Sequence, residues 1–253
     1  MRAWHFTSRK GYLSDGTPIV LGEPVPHIDG PIVTGKRGYH ASPAVYDALE
    51  YAPGPHLYRV DLSGAIEPHG EPIDKSHVPD DYMYAASDST AIAYIDATDL
   101  LFGFARQCAL DVAHLWDAPE EWLHELRTGD PRMRFWLRQC SPHGRGAAYY
   151  ASCAAIYSAA DDPIFAARES ATLAYRASGY ARPMPWPRDH REMLAALVEE
   201  AMGDEIPTYP DVLPELRAGT ATRKREAVDD EALPYDFEIR ARVDVRPRGG
   251  AIE

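Results

Sequence analysis

One segment of the sequence has the spacing of a phosphate-binding loop. Residues 30–36 match G-x-x-x-x-G-K, a pattern in which backbone amides surround a phosphate and the lysine contacts it. The next residue is Arg37, at the position where such loops carry the Ser or Thr that holds magnesium. Pro31 and the β-branched residues after it favour a strand or a turn over a loop ahead of a helix. We therefore expect no phosphate site of this kind here.

The ten histidines and three cysteines form no recognisable metal-binding or catalytic pattern. No two histidines have the i, i+4 spacing of a zinc protease, and Cys108, Cys140 and Cys153 are far apart without a C-x-x-C pair. The chain also lacks the G-x-S-x-G elbow that presents a nucleophilic serine. We expect no bound metal, reduced thiols, and histidines with structural or surface roles.

Charge and hydropathy limit the partners of the chain. Its 39 acidic and 26 basic residues give a net charge of −13, which disfavours general binding to nucleic-acid phosphates. No apolar stretch reaches about 18 residues, and the N-terminus lacks the apolar segment of a secretory signal. We expect a protein that does not bind membranes and works in the cytoplasm, which would be the host cytoplasm if the gene is phage-encoded.

The first 98 residues have the composition of a small β-rich region. Short apolar bursts between Gly, Pro and His residues predict strands at 2–6, 17–21, 31–34, 56–62 and 90–95. In the fourth of these, Tyr58, Val60 and Leu62 alternate with polar residues, so that one face is buried. Residues 43–51 predict a short helix, with Ser42 as its N-cap.

Helical spacing of apolar residues begins near residue 99 and continues for about a hundred residues. It predicts a first helix from about residue 99 and further helices at 120–127, 132–139, 147–160, 163–178 and 188–202. In the tail, apolar and polar residues alternate strictly from 237 to 245, which predicts a final strand that returns to the N-terminal sheet.

The predicted fold is α+β, with a small bent N-terminal sheet, a mainly helical C-terminal half and a final β-strand returning to the sheet. The predicted regions are a β-rich domain at 1–98, a helical region at 99–203 and an extended tail at 204–253.

Five short motifs in the first half of the chain together resemble a family common in phage and actinobacterial genomes. They are WHF at 4–6, RGYHAS at 37–42, LEYAPGP at 49–55, VDLSG at 60–64 and CALDVAHLW at 108–116. In that family an alanine-rich helical region usually follows, as at 147–177 here. This resemblance implies a phage-type protein and brings no activity with it.

The order of the elements also resembles the compact ADP-ribosyltransferases typified by the rifampin-modifying enzymes. Those enzymes carry His-x-Thr on a first strand, and this chain has His5 and Thr7 in that place. They carry a tyrosine just before a short helix, which Tyr39 matches, and a strand that ends in a glycine before an acidic loop, which residues 56–67 match. The domain at 1–98 is therefore expected to be ADP-ribosyltransferase-like.

That resemblance implies NAD as the substrate, without a metal. His5 would hydrogen-bond the nicotinamide ribose, Thr7 would be a second cofactor-binding residue, and Tyr39 would stack on the nicotinamide ring. An acidic side chain would stabilise the developing oxocarbenium ion or orient the acceptor. The candidate acids in that loop are Glu67, Glu71 and Asp74, and no motif chooses among them.

A second interpretation explains the same residues without catalysis. His5 could complete a sheet edge and Tyr39 could fill the core, and the chain would then be a phage accessory protein that binds another protein through its helical half. The enzyme requires His5, Tyr39 and one acid to face a cleft large enough for a dinucleotide. The accessory protein requires a contiguous exposed apolar patch on the helices instead.

Overall fold

The structure is a computed structural model that describes residues 1–68, 83–181 and 188–203. The chain divides into two compact units, Met1–Pro214 and Glu215–Glu253, and the second unit lies outside the described residues. The predicted final strand at 237–245 and the candidate acids Glu71 and Asp74 also lie outside them.

Four antiparallel strands form the sheet of the first unit. They are β1 (Arg2–Thr7), β2 (Tyr39–Ala41), β3 (His56–Pro68) and β4 (Tyr84–Asp96), in the spatial order β1-β3-β4-β2. The register between β3 and β4 shifts between Arg59 and Val60 and again between Ser63 and Ile66. Such bulges bend a strand and increase its twist, which gives the strongly bent sheet that the sequence predicts.

The sheet bends until its two edge strands meet beyond the end of β2. The N–H of Trp4 donates to the carbonyl oxygen of Ser42 at 2.8 Å, and the N–H of Ser42 donates to that of Trp4 at 3.0 Å. We call this meeting point the β1–β2 seam. Residues 22–28 run beside the rest of β4 and donate backbone hydrogen bonds to its carbonyl oxygens. The seam and this segment together cover much of the sheet edge, which limits pairing with other chains.

Two predicted strands and one predicted cap are wrong in the N-terminal region. Residues 17–21 and 31–34 form turns with isolated bridges, because Pro18 and Pro31 have no N–H to donate to a ladder. The first helix, α1 (Val45–Glu50), has Ala44 as its N-cap, since the backbone of Ser42 is engaged at the β1–β2 seam. The three-residue strand β2 was not predicted.

Six further α-helices in the described residues follow the sheet, close to the predicted positions. They are α2 (Thr98–Asp111), α3 (Glu120–Thr128), α4 (Pro131–Leu137), α5 (Ala147–Ser158), α6 (Pro163–Ala181) and α7 (Arg188–Met202), with a 3-10 turn at Ala113–Leu115. The junction of α3 and α4 is sharp. Gly129 ends α3 in the left-handed conformation, and the Asp130 carboxylate accepts the N–H of Arg132 at the start of α4.

One apolar core joins the helices to one face of the sheet. α2 lies at its centre, with Leu101, Phe104 and Cys108 fully buried. α5 and α6 bring buried alanines to this core, and small side chains at a helix contact allow a short distance between axes. Phe6 and Leu57 extend the core from the sheet, which confirms the α+β class. None of the helices in the described ranges is long and apolar enough to cross a membrane.

Candidate functional site

His5 lies in the middle of β1, beside the β1–β2 seam. Its Nδ1 is 2.7 Å from the backbone carbonyl oxygen of His40. Burial lowers the pKa of His5 to about 4, although the residue keeps some contact with solvent, so the imidazole is neutral at physiological pH. Because a carbonyl oxygen only accepts, the proton of the neutral ring lies on Nδ1 and Nε2 is left as a hydrogen-bond acceptor.

An aromatic row extends from His5 across the sheet. His5 pairs with Tyr58 on β3, and Tyr58 pairs with Tyr94 on β4, so the three side chains stand on one side of the sheet. The two tyrosine rings have centroids 5.0 Å apart, and the hydroxyl of Tyr58 accepts the N–H of Gly11 at 2.6 Å. His56 Nδ1 lies 3.0 Å from the hydroxyl of Tyr94. This row was not predictable from the amino-acid sequence, because it depends on the register between strands.

Tyr39 is held between β4 and the N-terminal loop. It pairs with Ala86, and its hydroxyl donates to the carbonyl oxygen of Pro26. Burial, with Asp15 and Asp88 nearby, raises the pKa of this hydroxyl. The preceding Gly38 has a φ of 133°, and a Cβ there would lie 2.9 Å from the Ala85 Cβ. Only glycine fits this conformation and this space, so Gly38 allows the strand of Tyr39 to approach β4.

Two other predicted site residues, Glu67 and Thr7, lie on β3 and at the end of β1. Glu67 on β3 pairs with Ala85 on β4, which pairs with His40 on β2, so Glu67 lies two strand spacings, about 10 Å, from His40. Thr7 is buried, and its hydroxyl donates to the carbonyl oxygen of Arg9 at 2.9 Å. The Thr7 hydroxyl thus stabilises the turn after β1. Its contact with a cofactor stays a prediction.

A polar cluster that the sequence analysis missed borders Tyr39. Asp88 Oδ1 lies 2.8 Å from His27 Nδ1, and Asp88 Oδ2 accepts the hydroxyl of Ser87 at 2.6 Å. The bond from Ser87, and then the bond to His27, lower the pKa of Asp88, while Asp88 raises that of His27. This cluster differs from a nucleophilic triad, because the serine donates to the carboxylate and not to the histidine.

The structure brings two of the predicted residues, His5 and Tyr39, to the β1–β2 seam. His5 contacts the backbone of His40, which is adjacent to Tyr39. Glu67 belongs to the Ala85–His40 row, next to the Ile66–Ala86–Tyr39 row, so its side chain projects from the face of the sheet opposite to that of Tyr39. Glu71 lies outside the described residues and remains a predicted catalytic acid.

The helical half holds a cavity of about 270 Å³ between α3 and α4. It is lined by Glu121, Trp122, Glu125, Trp136, Leu137 and Cys140. Trp136 and the adjacent Phe135 are exposed to 66% and 56%, high values for large aromatic side chains. Within the described ranges, no group of three His, Cys, Asp or Glu residues is arranged to hold a metal ion.

Comparison with known proteins identifies no relative. No protein-family model matches the chain, and neither does any curated protein or any solved structure. Function is therefore inferred from the residues and their geometry.

Proposed function

We propose that the protein binds NAD beside the β1–β2 seam and transfers ADP-ribose from it to an acceptor. The arrangement of His5 is the observation that carries this proposal. Its Nδ1 is fixed on a backbone carbonyl, its ring is neutral, and Nε2 has no hydrogen-bond partner among the described residues. A neutral imidazole held in this way can accept a hydrogen bond from a hydroxyl of the nicotinamide ribose.

Tyr39 supports the proposal through the orientation of its hydroxyl. That group already donates to the carbonyl of Pro26, so the ring, and not the hydroxyl, is left to meet a ligand. Because the hydrogen bond of the hydroxyl holds the side chain in place, the ring of Tyr39 can stack on the flat nicotinamide ring. Glu67 projects from the opposite face of the sheet to Tyr39, so the acid is sought at Glu71, outside the described residues.

The reaction requires one bond to break and one to form. The glycosidic bond between the ribose C1′ and the nicotinamide nitrogen breaks, and nicotinamide leaves with the electron pair. A nucleophilic atom of the acceptor forms a bond to C1′ and gives up its proton. A carboxylate close to C1′ stabilises the oxocarbenium character of the transition state and can take that proton.

Incubating the purified protein with NAD labelled on its ADP-ribose part, together with a cell lysate, tests this activity. We expect label to appear on protein, nucleic acid or a small molecule, and nicotinamide to be released in equal amount. His5→Ala should lower both signals at least tenfold, while the control His114→Ala, which replaces an exposed histidine near the end of α2, should leave them unchanged. Equal signals from the two variants, or none from the wild type, would reject the proposal.

A second candidate function is binding of another protein through the helices. The exposed side chains of Phe135 and Trp136, adjacent on α4, are the observation that favours it, since large aromatic side chains in water often mark a contact surface. This function predicts no nicotinamide release from the wild type, so the labelled-NAD experiment separates it from the first.

A further inference from the structure

The lining of the cavity between α3 and α4 contains a buried carboxylate and an exposed aromatic side chain. Glu125 is 1% exposed, and Trp122 is also buried, whereas Trp136 is largely exposed. Leu137 and Cys140 complete an apolar wall, and Glu121 supplies a second carboxylate. At about 270 Å³ the cavity is slightly smaller than sites for drug-sized molecules, and it fits a group of about the size of one long side chain.

Neither carboxylate oxygen of Glu125 has a hydrogen-bond partner among the described residues. Burying an ionised group without a partner is costly, so structures retain such groups chiefly where something else pairs with them. Burial raises the pKa of Glu125 to about 6, and the positive charges of Arg106 and Arg134 offset this only in part. A partner for the carboxylate is therefore missing at neutral pH.

Neither of the arginines nearest to Glu125 is part of the cavity lining. Arg134 donates to the carbonyl oxygens of Ala159 and Ala160 at the end of α5, and its guanidinium carbon lies 3.6 Å from the centre of the Phe102 ring. Arg106 packs against Gly129 at the end of α3. Neither arginine lines the cavity, whose charged lining consists of Glu121 and Glu125.

We propose that this cavity binds a primary ammonium group carried on an apolar stem, with Glu125 as its carboxylate partner. An ammonium group donates up to three hydrogen bonds and so satisfies the oxygens of Glu125. The indoles of Trp122 and Trp136 attract a cation through their π faces, and Leu137 and Cys140 contact the apolar stem. The chemistry is shared by free alkylamines and by a lysine side chain on a partner protein. The site is independent of the proposed NAD site.

Titration of the full chain with n-butylammonium, followed by tryptophan fluorescence and protein NMR, tests the proposal. We expect saturable binding at neutral pH, with shifts confined to residues around Trp122 and Trp136. The neutral isostere n-butanol should bind at least tenfold more weakly. Glu125→Gln keeps the shape of the side chain and removes its charge, so it should weaken n-butylammonium binding at least tenfold. Glu120→Gln alters a neighbouring carboxylate that pairs with Arg127, and it should bind as the wild type does.

The source of the ammonium group is decided by a second titration, with a short blocked peptide that contains one lysine. Tighter binding of the peptide than of n-butylammonium indicates a protein partner, and weaker binding indicates a free amine. Removing an unpaired buried charge should preserve the fold, so Glu125→Gln is expected to melt at or above the wild-type temperature. Equal binding of n-butylammonium and n-butanol, or unchanged binding by a folded Glu125→Gln variant, would overturn the proposal.

Discussion

Replacing Arg191 with methionine is expected to lower the free energy of unfolding by about 3–5 kcal/mol, as typically follows the removal of one partner from a buried ion pair. Arg191 on α7 places Nη2 2.6 Å from Oδ1 of Asp47 on α1, and the carboxyl group of Asp47 is completely buried. The variant would leave that carboxylate in the core without its positive partner. Urea denaturation followed by circular dichroism measures the loss.

A second pair that joins α1 to another helix provides the control. Glu50 and Arg168 form an ion pair at 3.2 Å, and both side chains are one-third exposed. Arg168→Met should therefore cost only about 0–1 kcal/mol, as is usual for pairs that water screens. In the double variant Asp47→Asn/Arg191→Met, where neither charge of this pair is left, much of the loss should be recovered. Similar losses for Arg191→Met and Arg168→Met would show that Asp47 does not depend on Arg191.

His5 should make the protein less stable as the pH falls from 6.5 to 4. The pKa of the folded state is about 4 against 6.5 for an exposed histidine. The contribution of His5 is complete above pH 6.5. This contribution is lost as the pH falls, because His5 binds a proton in the unfolded chain at a higher pH than in the folded chain. The difference of about 2.5 pKa units corresponds to a loss of about 3 kcal/mol at 1.36 kcal/mol per unit.

The variant His5→Asn isolates this effect. Its amide N–H can still donate to the carbonyl of His40, but it does not titrate. Glu125 acts in the opposite direction, since its raised pKa lowers stability as the pH rises through about 4.5 to 6. The contribution of Glu125 cancels when the free energy of unfolding of the variant is subtracted from that of the wild type, because both proteins contain Glu125. The urea midpoint of the wild type, taken relative to that of the variant, should rise between about pH 4 and 6.5 and stay constant on either side of that range. Curves that stay parallel across this range would contradict the neutral, buried state of His5.

The helices were predictable because apolar periodicity is a local property. α3, α5, α6 and α7 begin at the residues where the spacing predicts them. The strands were harder, because a strand is completed by pairing with distant residues. β3 and β4 extend well beyond the predicted segments at 56–62 and 90–95, through residues whose own propensity is weak but whose partners lie opposite them in the hairpin. β2, with three residues, leaves no periodic pattern at all.

The candidate site was predictable only in part. The resemblance to ADP-ribosyltransferases selected His5, Tyr39 and Glu67. The structure places His5 and Tyr39 on the two strands that meet at the β1–β2 seam, whereas β4 separates the strand of Glu67 from that of Tyr39. The bond from His5 to the carbonyl of His40 depends on the closure of the sheet, which no short motif encodes.

Glu125 left a clearer signal in the sequence. It follows Trp122 by three residues and precedes Leu126 by one, which places a carboxylate on the apolar face of α3.

Calorimetric titration of the wild type and two variants with NAD tests directly whether a nucleotide binds at the β1–β2 seam. We expect saturable binding to the wild type and, for His5→Ala, a loss of about 1–3 kcal/mol of binding free energy without loss of the fold. Tyr39→Ala should bind more weakly still, because the stacking surface is gone. Absence of NAD binding to the folded wild type, or equal binding by all three proteins, would contradict a nucleotide site at the β1–β2 seam.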